Sequence, residues 1–451
     1  VSLPNAPHGS ARPRLPRSHW ARRALRPRRP LRLSPLREHL RDTFWFAPTA
    51  AMALVVAAWW LASLIDSALV ESLRSDGDYD ALTDLIGIAD DAKTIVTTVS
   101  SAMMTFIGVV FSISLVAVQM ASGQFTPRVV RIFVRSRITK LTFSVFLATF
   151  LLSLLVLAAY DGETDPRLVT TVPFVQSMLT LLMVGTSLLL FVAYVNSTLR
   201  LLRVSHVIDR IALESYRALA TMPFSEHEPP EPGHVSEVIT YRGRAGVLRD
   251  VNIAQLVAAA RRRGVVLRLL PRIGDFIGPG TPVFAVHGGT GPRRYALSVG
   301  VDRTFHQDIG FGLRQLSDIA LRALSPAVND PTTAVQCLDR IVAFLGSLAD
   351  VPLGAVSHTD RKGEVRLVQE LPGWTDLVDL GIAEIRGCSA GNPQVSRRLM
   401  AGLDDLLSLV PAERRAPLER HRALLRQAVE RDVPEAADRE FALVSDRQGI
   451  G

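Results

Sequence analysis

Four long stretches without a formal charge constrain this chain more than anything else in it. They fall at about 44–65, 95–121, 141–160 and 170–199. A helix of roughly 20 residues crosses a hydrocarbon core of ~30 Å, and a helix in a soluble core seldom runs so far without a charge. The first stretch outlasts the apolar region of a secretory leader, and no small-x-small cleavage pattern follows Trp59 and Trp60, so it reads as a retained span.

Charge then gives an orientation, because Lys and Arg of short loops stay on the cytoplasmic side. The chain has 451 residues and a formal net charge of +8, which by itself suggests a polyanionic partner. Its distribution says otherwise. Residues 1–43 hold eleven Arg against Glu38 and Asp42, whereas 66–93 hold eight acidic and two basic residues. The next connection carries Arg128, Arg131, Arg135, Arg137 and Lys140 with no acid, and 161–167 is net acidic. From Arg200 onward acids and bases nearly balance. The excess positive charge thus records how the chain crosses a bilayer. Both termini are expected in the cytoplasm, and no nucleic-acid partner is expected.

The second span is unusual in composition. Thr94, Thr98, Ser101, Thr105, Gly108, Ser112 and Gln119 follow an alternating four-three spacing interrupted by Leu115, which places small or hydroxylated side chains on one helical face. Two readings stay open: a pore or substrate path shared among subunits of a homo-oligomer, or a packing seam in which small residues let helices approach. The fourth span repeats the theme with Gln176, Thr180, Ser187, Tyr194 and Ser197. No acid or base falls inside the expected spans, so the signature of a proton-coupled carrier is missing. After Gln119, the Arg128, Arg131 and Arg135 side chains interleave with Val129, Val130, Ile132 and Phe133, a basic amphipathic pattern suited to anionic lipid headgroups.

The expected domains are a disordered Arg/Pro-rich tail (1–35), a four-helix transmembrane domain with a helical extension (36–222) and a linker (223–234). A small β-rich module (235–301) and a mostly helical cytoplasmic domain (302–451) complete the chain. The extension is expected to continue the fourth span without a break as far as Met222-Pro223. Within the β-module, Asn252 and Gly264 read as the cap and stop of a short helix. Gly274-Asp-Phe-Ile-Gly-Pro-Gly280 resembles the turn of barrel-sandwich or lipoyl-like domains, without the modifiable lysine such carriers need. His287-Gly-Gly-Thr-Gly-Pro-Arg-Arg294 lacks the Lys-Ser/Thr of a phosphate loop and is expected to be a hairpin turn.

Further on, Asp308 is expected to cap a helix. Ala323-Leu-Ser-Pro-Ala-Val-Asn-Asp-Pro-Thr-Thr-Ala334 then breaks and restarts the chain. Ser325-Pro326 ends one helix, Asp330 caps the next, Pro331 takes its first position and Thr333 follows. Asn329 and Asp330 between two helix ends also offer a candidate cation or polar-ligand site. Helices are expected over 374–386, 393–409 and 417–429. There is no H-E-x-x-H, C-x-x-C or G-x-S-x-G, and no metal, cofactor or catalytic constellation is expected. Cys337 and Cys388 are expected to fill helical packing positions.

The segments Phe111-Ser112 through Gln119 to Thr126-Pro127-Arg128, Gln315–Asp318 leading into 323–334, and Asn392-Pro-Gln-Val-Ser-Arg-Arg-Leu399 resemble the predicted bacterial membrane proteins of the domain-of-unknown-function 2254 family. The resemblance spans most of 36–450. It implies four spans with a cytoplasmic domain in the inner (plasma) membrane of a bacterium, and carries no established activity onto any residue. The sequence therefore predicts an α-helical integral membrane protein with four transmembrane helices and a mixed α/β cytoplasmic domain, in which a small barrel-sandwich-like β-module precedes helices. The first functional expectation is a homo-oligomeric channel or gated permeation protein with a cytoplasmic regulatory domain. The alternative is a membrane-anchored sensor or scaffold whose cytoplasmic domain binds a ligand or partner.

Overall fold

A computed structural model of the chain describes residues 45–124, 137–160, 172–201, 203–222, 224, 233–293, 295 and 297–448. The expected tail at 1–35 and the headgroup residues Arg128, Arg131 and Arg135 lie outside the described residues. The chain divides into two compact units, the first ending at Arg203 and the second beginning at Val204.

Four helices long and apolar enough to cross a membrane make the first unit: α1 (Phe46–Ser75), α2 (Tyr79–Gln124), α3 (Arg137–Ala158) and α4 (Phe174–Leu201). Helix α3 is the most deeply packed and touches the other three. Phe106, Phe146 and Phe191 meet at the centre with ring centroids 5.6 to 6.5 Å apart, and Tyr194 is buried beside them.

The acidic segment 66–93, expected as a loop, is almost wholly helical. Only residues 76–78 separate α1 from α2. Gly77 takes φ 71° and donates to Arg74 O, while Asp78 N donates to Leu73 O, the paired bonds of a glycine-terminated helix end. The Asp78 carboxylate then accepts from Ala81 N and starts α2. At 1.5 Å per residue the 46 residues of α2 extend about 69 Å, twice what a hydrocarbon core needs. The hairpin beyond the core is zipped by Val70, Leu82 and Ala89, with Leu73, Leu85 and Ile86 packed against them.

The second unit starts with α5 (Val204–Thr221). The fourth span does not continue unbroken into this extension, since α4 ends at Leu201. Helix α5 is built into the second unit's own core. Its Tyr216 ring meets Phe344 edge-on at 5.4 Å, Asp209 pairs with Arg340 at 2.7 Å, and Ser215 lies where any side chain on Gly312 would stand. Burial pushes the Tyr216 hydroxyl up to about 12.

Then come β1 (Val235–Thr240), β2 (Gly246–Val251), α6 (Ile253–Arg263), β3 (Val266–Leu269), β4 (Phe276–Ile277), β5 (Pro282–His287) and β6 (Leu297–Gly300). Helices α7 (Phe311–Ala323) and α8 (Pro331–Ser347) precede a hairpin of β7 (Ala355–Thr359) and β8 (Val365–Glu370). Helices α9 (Trp374–Ser389), α10 (Pro393–Leu409), α11 (Arg415–Asp432) and α12 (Ala436–Leu443) finish the chain. Asn252 caps α6 through Gln255 N, and Gly264 closes it at φ 67°.

The expected barrel-sandwich module does not form. The strands make an open five-stranded sheet in the order β1-β5-β3-β8-β7 and a separate three-stranded sheet β4-β2-β6. The glycine-rich turn at 274–280 sets local backbone only, whereas closure depends on which strand takes the free edge of β3. That edge goes to β8, pairing in parallel from about a hundred residues downstream, with Leu267 opposite Leu367. Likewise 288–293 is no hairpin turn, because β5 and β6 belong to different sheets. Both sheets and α6 share one core around Leu248, Leu256, Leu267, Phe284 and Leu367.

Candidate functional site

Helix α2 has two opposed faces, each written in sevens. Leu82, Ala89, Val96, Met103, Val110 and Ala117 are buried against the rest of the first unit. Thr98, Thr105, Ser112 and Gln119 fall two residues after members of that seam, and Thr94, Ser101 and Gly108 two residues before. At 100° per residue both sets lie about 160° from the seam, on either side of the opposite face. All of Thr98, Ser101, Thr105, Gly108, Ser112 and Gln119 are exposed. The stripe is therefore not the seam through which this chain packs on itself.

Two of its hydroxyls are satisfied by the helix itself, which suits them to an apolar surrounding. Thr98 Oγ1 donates to Thr94 O at 2.9 Å and Ser101 Oγ to Thr97 O at 3.3 Å. Towards the Gln124 end the stripe opens into a groove of about 300 Å³ between α2 and α4, lined by Ser112, Val116, Met120, Val195, Thr198 and Leu199.

Of the polar residues named on α4, Gln176, Thr180, Ser187 and Tyr194 turn inward instead, while Ser197 is half-buried. Thr180 and Ser187 are fully or nearly fully buried, and Ser187 Oγ meets Thr149 Oγ1 of α3 at 3.1 Å. Tyr194 Oη lies 2.6 Å from Ser114 Oγ and donates to Val110 O. The two polar faces foreseen on α2 and α4 thus do not face each other within one chain. One group escaped the sequence reading altogether: Asp66, counted with the acidic loop, is a fully buried residue of α1. Its carboxylate accepts from Val175 N at 2.7 Å and Gln176 N at 3.3 Å at the start of α4. Its only sequence signal is an acid that directly follows an apolar run, since the partners lie more than a hundred residues away.

In the second unit the 325–333 motif is a surface connection between α7 and α8. Asp330 is the cap of α8, accepting from Thr333 N at 3.0 Å and from the Thr333 hydroxyl at 2.6 Å, with Pro331 at the first turn. Ser325 O accepts from Val328 N and Asn329 N, which closes the turn after Pro326. Asn329 is exposed and takes φ 48°, a conformation that only Gln307 shares with it among the described non-glycine residues. Asp308 does not head α7 directly, since Gly310 stands at its N-cap. Its carboxylate still accepts from the Gly310 and Phe311 backbone N–H groups at the start of α7 and binds Arg303 through two bonds of 2.8 and 2.9 Å, while burial pushes its carboxyl up against those partners.

The glycine amides after His287 are taken from within. Gly291 N donates to Glu237 and Gly289 N to Ser236, so this loop is no open anion cradle. Cys337 is buried, which pushes its thiol up, whereas Cys388 is exposed and fills no packing position. Among the described residues no three of His, Cys, Asp or Glu converge as a metal site.

A family model described as "Predicted membrane protein (DUF2254)" matches residues 41–405. An uncharacterized protein of Mycobacterium tuberculosis (strain H37Rv) is 28% identical over 433 residues, 90% of this chain and 80% of the relative. One from Mycobacterium bovis matches with the same identity and coverage. No solved structure matches.

Proposed function

Because the chain belongs to the DUF2254 family of predicted membrane proteins, we propose that it is a homo-oligomeric channel or gated permeation protein regulated by its second unit. The observation that carries this reading is the outward stripe of α2. A helix face left to lipid has no reason to collect Thr, Ser, Gly and Gln every three and four residues. A face meeting the same face of a second copy does, because small side chains allow close approach and hydroxyls bond across it. The interior of one subunit is filled by Phe106, Phe146, Phe191 and Tyr194, so permeation is assigned to an axis between subunits, lined by α2 from each.

In this reading both termini and residues 204–451 are cytoplasmic, the acidic α1–α2 hairpin projects from the opposite face of the plasma membrane, and Arg128, Arg131 and Arg135 meet anionic headgroups. No catalytic role is assigned to it. Reconstituted in liposomes, the protein passes ions or small solutes, and Ser112→Leu or Gln119→Leu reduces the flux. Flux indifferent to both substitutions removes the lining assignment.

The second reading, a membrane-anchored sensor or scaffold, draws on Asn329. A left-handed non-glycine residue on an exposed connection is strained, and such strain collects at binding sites. Here no flux is expected, and a small-molecule thermal-shift screen yields a ligand whose effect disappears in Asn329→Ala.

A further inference from the structure

We propose that the groove between α2 and α4 is a binding site for an anionic glycerophospholipid of the surrounding leaflet, with an acyl chain in the groove and the phosphate at Arg200 and Arg203. One chain alone lines the groove, so the site does not depend on the permeation reading.

The walls come from two spans. Ile113, Val116 and Met120 of α2 and Val195 and Leu199 of α4 surround about 300 Å³. From Ser112 to Met120 the groove follows α2 for about 12 Å, and a spanning helix runs roughly along the lipid chains beside it. Val116, Met120 and Leu199 are each about half exposed, so the groove opens outward. Any lipid tail suits such walls. Selection comes from the polar groups at one end.

The first of these is Thr198. Only 8% of it is exposed, it lines the groove, and among the described residues its hydroxyl has no hydrogen-bond partner. Four further hydroxyls of α4 behave differently: Ser177, Thr180, Thr186 and Ser187 each donate to the carbonyl four residues earlier. A nearly buried donor without an acceptor is costly, and the bilayer core has no water to serve it. The ester carbonyl that joins an acyl chain to glycerol is an acceptor at the polar end of an otherwise apolar chain.

The charge stands just beyond. Arg200 follows Leu199 directly and Arg203 ends the first unit; both are exposed. Arg200 Nε donates to Asn196 Oδ1 at 3.3 Å, which leaves both terminal nitrogens without a partner among the described residues. Arg200 lies about 3 Å further along α4 than Thr198, so its side chain reaches a phosphate whose glycerol ester meets Thr198. Neither 94–160 nor 168–208 contains an acid, and the acids of α2, Asp80, Asp84, Asp90 and Asp91, stand at its far end. The spans around the groove thus offer these guanidiniums no carboxylate, and a phosphate matches them in charge and shape. A free anion has no use for apolar walls, and a fatty acid has no ester beneath its charge.

The test uses the full chain, reconstituted in nanodiscs of equal parts phosphatidylglycerol and phosphatidylcholine, extracted into mild detergent and weighed by native mass spectrometry. One phosphatidylglycerol per chain stays bound, enriched about tenfold over phosphatidylcholine. Arg200→Gln together with Arg203→Gln removes the enrichment, and Val116→Trp, which fills the groove from a half-exposed position, removes both lipids. Equal retention of the two lipids by the parent overturns the proposal, as does parental retention in Val116→Trp. Enrichment that survives the double arginine substitution also overturns it, because the preference then belongs to other basic residues. A parent that retains no lipid has its groove covered by the chain itself or by a second copy, which sinks the proposal too. Retention lost in Thr105→Leu, a substitution at the outward stripe away from the groove, places the lipid between copies instead. If Val116→Trp does not fold, the double arginine variant decides alone, since both side chains are at the surface.

Discussion

The inward and outward faces of α2 share a seven-residue period and differ in almost everything else. The inward face is made of Leu82, Val96, Met103 and Val110, each closed off by the rest of the first unit. The outward face has Thr98, Ser101, Thr105, Gly108 and Ser112 in the open. In water the comparison would be trivial, apolar inside and polar outside. In a bilayer it inverts, since lipid gives no reason for hydroxyls to face outward. Periodicity therefore identifies the two faces, and composition separates the one that packs within the chain from the one proposed to meet another copy.

The largest effect expected from this comparison is at the seam. Val110→Asp places a charge in the middle of a spanning helix at a cost of about 3 kcal/mol, and the monodisperse peak in gel filtration should vanish. At the stripe, Thr105→Leu should leave the subunit's melting within about 0.5 kcal/mol of the parent. The particle mass in detergent should fall to that of one chain, and liposome flux should drop at least tenfold. Should Thr105→Leu unfold the subunit as Val110→Asp does, the two faces are not different in kind.

Legibility followed the range of the interactions. The spans, the caps at Asn252 and Asp330 and the stop at Gly264 are local, and the structure places them where the residues pointed. The stripe was visible as a period, but its exposure was not, because nothing in Thr98 or Ser112 says what opposes it. The β7–β8 hairpin went unread although Asp360 to Gly363 is a turn signal between alternating runs. The lipoyl-like turn drew attention to closure within 235–301, and the partner of β3 lay elsewhere. Asp66 was misplaced for the same reason: its charge looked like loop composition, while its bonds are made with α4.

A perturbation confined to the second unit checks that losses at α2 are local. Burial lowers the His358 and His421 imidazoles below the ordinary 6.5, with the Gln369 and Asp379 hydrogen bonds opposing it. Both therefore protonate more readily once unfolded than in the fold. Their contribution is whole above 6.5 and is lost as pH falls through their lowered folded values. Scanning calorimetry in acid should therefore show a transition that drops by a few degrees, and His421→Gln should flatten that slope. The first unit's described residues include no histidine, so the association proposed for the stripe should survive the same pH. Asp330→Ala acts on the same unit by removing the cap of α8, at a cost of about 1 kcal/mol, and should shift only that transition.

The smallest effect returns to the seam of α2. Tyr194 Oη and Ser114 Oγ stand 3.1 and 2.8 Å from Val110 O and 2.6 Å from each other, and with one proton apiece they share three contacts between two donated bonds. Removing either hydroxyl leaves the carbonyl its helical donor and one side-chain donor, so Tyr194→Phe and Ser114→Ala should each cost below about 1 kcal/mol. The double substitution takes away both side-chain donors. Because the pair acts as a network, its cost should exceed the sum of the singles by about 0.5 kcal/mol or more, read as thermal shifts in one lipid composition. Strict additivity would mean that Val110 O is served by its own helix alone, and that the seam is held by shape without help from its hydroxyls.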